Sequence, residues 1–218
     1  MRWRCEFRTA CVFNLLLVLA LVGCIPEPVQ AADAIPHAAA RYRGDLTRNA
    51  RLIWGLEAPV ATLAGQIHQE SAWRATAQSK YAAGLAQFTP DTAKWICGAY
   101  PSLGDMGCDR MAPAWAIRAL VTYDLHLFDR IDAANACERM AMALSAYNGG
   151  LGWLNRDKRL ASAKGADELS WFGEVERFNA GRADWAFTEN RGYPRAILRR
   201  WEPLYQAAGW GIGVCDAD

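Results

Sequence analysis

The stretch Ile67-His68-Gln69-Glu70-Ser71-Ala72-Trp73-Arg74 places a carboxylate where a buried stripe should continue. Val60, Leu63 and Ile67 recur at helical spacing after Pro59, and the next position on that face is Glu70. A second one-face series, Cys137, Met140, Leu144 and Tyr147, runs into Asn148 before Gly149-Gly150 stops it. Taken singly, Glu70 would pair with a basic residue and Tyr147 would be a core aromatic. Two helices that both finish in polar groups beside their apolar faces suggest a cleft instead. A carboxyl on such a face is desolvated, which raises its pKa toward neutrality and suits it to protonate a leaving oxygen.

The elements that must position these groups read as helices. The spacing predicts helices over about 46–54, 59–71, 90–97, 113–128 and 134–147, with Thr89 as N-cap and Pro90 in the first turn of the third. A closing helix from about Pro194 carries Ile197, Trp201 and Leu204 on one face, and Pro203 must kink or end it. No strand series, internal repeat or second domain is visible, so the expected class is all-α. Ahead of these helices, Arg2, Arg4 and Arg8 precede the apolar run 12–22, the pattern of a secretory signal over residues 1–23. Leu21-Val22-Gly23-Cys24 resembles a bacterial lipobox, which would make Cys24 a lipidated first residue; cleavage after Val29-Gln30-Ala31 is the alternative. If Cys24 is lipidated, Ile25 after it resembles outer-membrane sorting, and the mature protein is expected in the periplasm. Residues 24–45, with Pro26, Pro28 and Pro36, read as a tether, and residues 46–218 as one domain.

Removing residues 1–23 takes three Arg and one Glu from totals of 24 basic and 23 acidic residues, leaving 21 and 22, a balance that argues against a nucleic-acid partner. Outside the leader and Cys24, the exported chain keeps Cys97, Cys108, Cys137 and Cys215, an even set in an oxidising compartment. The short, turn-rich span between the first two favours Cys97–Cys108 with Cys137–Cys215 over the other two pairings. Zinc is the competing use, disfavoured because there is no CxxC pair and the three histidines are scattered.

Four motifs in order resemble the SLT-type lytic transglycosylases, relatives of goose-type lysozyme. They are the apolar helix closing in Glu70-Ser71; Ser79 followed by Gly84-Leu85-Ala86-Gln87; Ala146-Tyr147-Asn148-Gly149-Gly150; and Glu189 with Tyr193. The resemblance covers roughly residues 46–209 and departs from the family's pattern at Ala86, where Met is usual, and at Pro194 after the Tyr. It implies a lysozyme-like helical domain that cleaves the MurNAc-GlcNAc β-1,4 bond of peptidoglycan without a cofactor or metal and leaves 1,6-anhydromuramoyl ends.

The resemblance makes Glu70 the sole acid and base, because the muramic 6-hydroxyl supplies the nucleophile at high effective molarity. It assigns substrate binding to Ser71, Gly84, Gln87, Tyr147, Asn148 and Tyr193, with Tyr193 bonded to the Glu70 carboxyl and Gly84 letting the backbone approach the glycan. Glu189 is expected as a structural acid near the start of the last helix, Trp73 as the Trp of the groove, and His68 as an exposed residue off the Glu70 face. Two other readings compete. A hydrolytic muramidase would need a water-activating carboxylate such as Asp91, Asp105 or Glu174, and a non-catalytic peptidoglycan-binding module would not need Glu70. The same enzyme would serve wall turnover, an envelope-spanning secretion or conjugation apparatus, or a phage.

Overall fold

A computed structural model describes residues 34–215. Its elements are α1 (Ala39–Trp54), α2 (Val60–Ser71), α3 (Pro90–Ala99), α4 (Pro101–Gly104), α5 (Pro113–Phe128), α6 (Ala136–Gly149), α7 (Leu151–Ala163), α8 (Asp184–Ala196) and α9 (Glu202–Ala207). A 3-10 turn spans Val175–Arg177 and a π-turn, Ile197–Trp201, joins α8 to α9. Among the described residues the only β pairing is the pair of isolated bridges Gln78 to Ala83 and Ala83 to Phe88, as an all-α chain requires.

Helix α2 is apolar or small nearly all round, and every residue from Val60 to His68 is buried, the signature of a helix that runs through the core. It packs against α1, the π-turn and α9, while α5 lies against α1 and α6, and α6 against α7 and α8. Gly65 makes one of these crossings possible: a Cβ there would stand 2.9 Å from the Trp201 Cβ. Helix α5 has the predicted ends, and Thr89 caps α3 by accepting from the Thr92 amide at 3.1 Å.

The expected tether and domain start differ from what is seen. Helix α1 begins at Ala39, and Ala39, Tyr42, Leu46 and Ala50 form one buried stripe, so the boundary at Leu46 falls inside a helix. Small Ala residues and Pro36 weakened that period in the sequence. The leader, Cys24 and the first part of the tether lie outside the described residues. Not foreseen as helices were the short α4, α7, and the N-terminal part of α8, which starts at Asp184 rather than at Pro194. Pro194 sits inside α8, where it removes a backbone donor, and the helix continues into the wider π-turn before Pro203 opens α9. Disulfides join Cys97 to Cys108 and Cys137 to Cys215, with Cα separations of 6.0 and 4.6 Å. The second ties the C-terminal segment to the start of α6.

Candidate active site

Helices α2, α6 and α8 and the loop from Ser79 to Thr89 enclose a cleft of about 1060 Å³. Glu70 lies on its floor, half-buried at the last turn of α2. The Tyr193 hydroxyl, from α8, donates to Glu70 Oε1. The Glu70 carboxyl is pushed up to about 8: burial raises it most, the Tyr193 hydrogen bond opposes that rise, and the negative charge of Glu189 adds to it. Glu70 therefore carries its proton at neutral pH, as a general acid must. Burial also raises the Tyr193 phenol well above its ordinary range, and the nearby Glu70 charge does so further, which keeps Tyr193 a donor.

Two left-handed residues follow α2 directly, Ala72 (φ 48°) and Trp73 (φ 63°), a costly conformation for side-chain-bearing residues. Trp73 is what holds this turn. Its indole is buried, donates to the Tyr205 hydroxyl and packs on Tyr42 and Trp210. It is a core residue rather than the groove Trp. His68 is also buried, stacked on Trp201 with ring centroids 3.9 Å apart and with Nδ1 3.1 Å from the Tyr205 hydroxyl, so the expectation of an exposed His68 fails. In a core helix the face opposite Glu70 is covered as well.

The residues expected to bind substrate separate into two groups. Tyr147, Asn148, Gln87 and Tyr193 line the cleft. Tyr147 stacks parallel to Tyr193 at 6.4 Å and donates to the Ala86 carbonyl at 2.7 Å, joining α6 to the loop. Gln87 (φ 47°) spends its amide donor on the carbonyls of Ala77 (3.1 Å) and Gly84 (2.8 Å), bracing the loop. Ser71 and Gly84 do not line the cleft. The Ser71 hydroxyl is buried and donates to the Ile67 carbonyl at 3.2 Å, as helical serines do when no other acceptor is near. Gly84 (φ 77°) allows a close approach, but to the chain itself: a Cβ there would lie 2.0 Å from the Arg110 carbonyl oxygen.

Glu189 is on the middle of α8, exposed to the cleft, and accepts weakly from Asn148 Nδ2 at 3.4 Å. It is the second carboxylate of the lining, while Asp91, Asp105 and Glu174 are not part of it. Beneath α8 is a network that periodicity does not reveal. Asn190 donates to the Ser145 carbonyl (2.8 Å) and to Asn148 Oδ1 (3.0 Å), which fixes the orientation of Asn148. Fully buried Asp157 of α7 pairs with Arg191 at 2.7 Å and Arg182 at 3.0 Å, locking α7 to α8. Tyr81 and Trp185, 68% and 73% exposed, stand on the cleft lining as large apolar faces open to water. No spacing signal marks them, because exposure of an aromatic is decided by the surrounding fold. Among the described residues no cluster of His, Cys, Asp and Glu is arranged to hold a metal ion.

Comparison with known proteins identifies the family. The family profile described as "Transglycosylase SLT domain" matches residues 52–170. The chain is similar to the membrane-bound lytic murein transglycosylase F of Vibrio campbellii, with 32% identity over 136 residues, 61% of this chain and 24% of that protein. It is similar also to the proteins of that name from Vibrio cholerae (32% over 150 residues, 67% and 26%) and Maricaulis maris (34% over 112 residues, 50% and 22%). It thus spans about a quarter of the length of these curated relatives. Because the profile covers more than half of the chain and takes in the helix that carries Glu70, the chain belongs to the transglycosylase SLT family.

Proposed function

We propose that this protein is a peptidoglycan lytic transglycosylase in which Glu70 is both acid and base. The observation that carries the reading is a desolvated carboxyl on the floor of the cleft, hydrogen-bonded by Tyr193 and pushed up to about 8 by burial. Glu70 gives its proton to the oxygen of the MurNAc-GlcNAc bond as that bond breaks, and charge develops at the muramic anomeric carbon. The carboxylate left behind takes the proton of the muramic 6-hydroxyl as that oxygen closes on the anomeric carbon. The proton is returned, no water is consumed, and a 1,6-anhydro end forms. Tyr193 donates to the carboxylate and so stabilises the charged half of the cycle. Tyr147, Asn148 and Gln87 are proposed as substrate contacts, with Tyr147 and Asn148 also holding the shape of the wall. Ser71 and Gly84 are proposed as supports for the helix end and loop.

Glu70→Gln is expected to abolish cleavage while glycan binding persists, and wild-type products are expected to be lighter by one water than hydrolytic ones in mass spectra. Reducing muramic ends would favour the second reading, a muramidase. The cleft supports that reading only through Glu189, a second carboxylate on its lining, where Asp91, Asp105 and Glu174 do not stand. We propose further that the protein is exported and anchored to the outer membrane through lipidated Cys24. No described helix is long and apolar enough to cross a membrane. The wild-type protein is expected to fractionate with membranes and Cys24→Ser to change its processing, and a soluble periplasmic wild-type protein would refute the anchor.

A further inference from the structure

Below the cleft floor, α2 and α5 share a polar contact that the proposed reaction does not use. Asp124 is completely buried, and its Oδ1 accepts from the Gln66 side-chain amide at 3.2 Å. Its second oxygen, Oδ2, has no hydrogen-bond partner, nor does the side-chain carbonyl oxygen of Gln66. Asp124 forms no salt bridge among the described residues. Two unpartnered acceptors and no donor make a costly arrangement in a dry core, and a lone buried carboxylate costs more. One proton on Asp124 resolves both deficits, because Oδ2–H becomes a donor and the Gln66 carbonyl is the acceptor left over.

We propose that Asp124 is a neutral carboxylic acid joined to Gln66 in a two-point acid–amide pair, and that it is a positioning residue for Glu70. Gln66 lies one helical turn before Glu70 on α2, and Asp124 follows the cleft-lining Tyr123 on α5, so the pair pins the two elements together directly under the reacting carboxyl. Among the described residues, the titratable groups that interact electrostatically with it are Glu70 from α2, Tyr123 from α5, Tyr147 from α6 and Tyr193 from α8. None supplies a positive charge. Burial raises the Asp124 carboxyl well above the usual carboxylate range, the Gln66 hydrogen bond opposes this, and the Glu70 charge raises it again. A proton kept throughout the cycle leaves the floor with one ionising carboxyl rather than two, so the Glu70 base form meets no like charge from below.

The protonation state of Asp124 stands on its own; its positioning role rests on the proposed reaction. The first is tested by infrared difference spectroscopy of Glu70→Gln against Glu70→Gln/Asp124→Asn, isosteric changes whose fold is checked by circular dichroism. A protonated-carboxyl stretch at neutral pH that disappears with Asp124→Asn is expected, and its absence would overturn the pair. The second is tested kinetically. Asp124→Ala is expected to lower kcat about tenfold with KM within about twofold, because the reacting group is displaced while the binding surface is kept. Asp124→Asn is expected to restore kcat, since a carboxamide donates to and accepts from Gln66 in the same geometry. An Asn variant as slow as wild type with Glu70 removed would show that Asp124 works ionised, and would refute the role even if the Ala variant fails to fold.

Discussion

Replacing Glu70 by Gln should make the protein more stable at neutral pH while destroying its activity. The folded carboxyl, raised to about 8 from an ordinary 4.5, holds a proton that the unfolded chain releases across that window. Its contribution is therefore present below 4.5 and lost progressively as pH rises toward 8, the reverse of an ion-paired carboxylate. At about 1.4 kcal/mol per pH unit, the loss reaches about 3 kcal/mol by about pH 7. Cleft water reaches the half-buried carboxyl and screens it, which brings the expected gain to about 2 kcal/mol. Gln keeps the shape and the acceptor for Tyr193 but cannot ionise. Asp124 and Glu202 are raised as well, so the informative quantity is the difference between wild type and variant, in which their contributions largely cancel. Urea unfolding with the disulfides intact reads this directly. At about 2 kcal/mol per M of slope, the Gln variant should have a midpoint about 1 M higher at about pH 7, with the gap closing at about pH 4. A variant no more stable than wild type at neutral pH, or a gap that persists in acid, would refute the desolvated carboxyl and with it the acid role of Glu70.

Two further perturbations separate acid–base chemistry from binding. Tyr193→Phe removes the donor that favours the Glu70 carboxylate, so the alkaline limb of kcat/KM should move up by about one to two pH units, the worth of a hydrogen bond to a charged group; a limb that stays or moves down would contradict the assignment. Trp185→Ala removes an indole that is 73% exposed on the cleft lining. KM for glycan strands should rise about fivefold at nearly constant kcat, as expected for about 1 kcal/mol of stacking, with unfolding unchanged. An unaltered KM would place the glycan elsewhere.

The all-α class, the run of α5, the Thr89 cap and the two disulfides were all legible in the chain, because each rests on local spacing or on a short list of pairings. The same is true of Glu70: three apolar residues at helical spacing said which face it shares, and the face was enough to imply its desolvation. What spacing leaves undecided is which neighbours close over that face. Ser71, adjacent to Glu70, turns into its own helix, while Trp73 and His68 go to the core because α1, the π-turn and α9 pack against α2 away from the cleft. Gly84 is needed by Arg110, on a segment that nothing local connects to it. Tyr81 and Trp185, the exposed aromatics of the cleft, and the buried Asp157 network behind Asn148 depend on how α7 and α8 dock. Gln66 and Asp124 belong to stripes that look apolar only in their neighbours, and they acquire each other 58 positions apart when α2 meets α5. Periodicity is a property of one helix, whereas desolvation, a hydrogen-bond partner and an open cleft are properties of at least two, and these became determinate only when the helices packed.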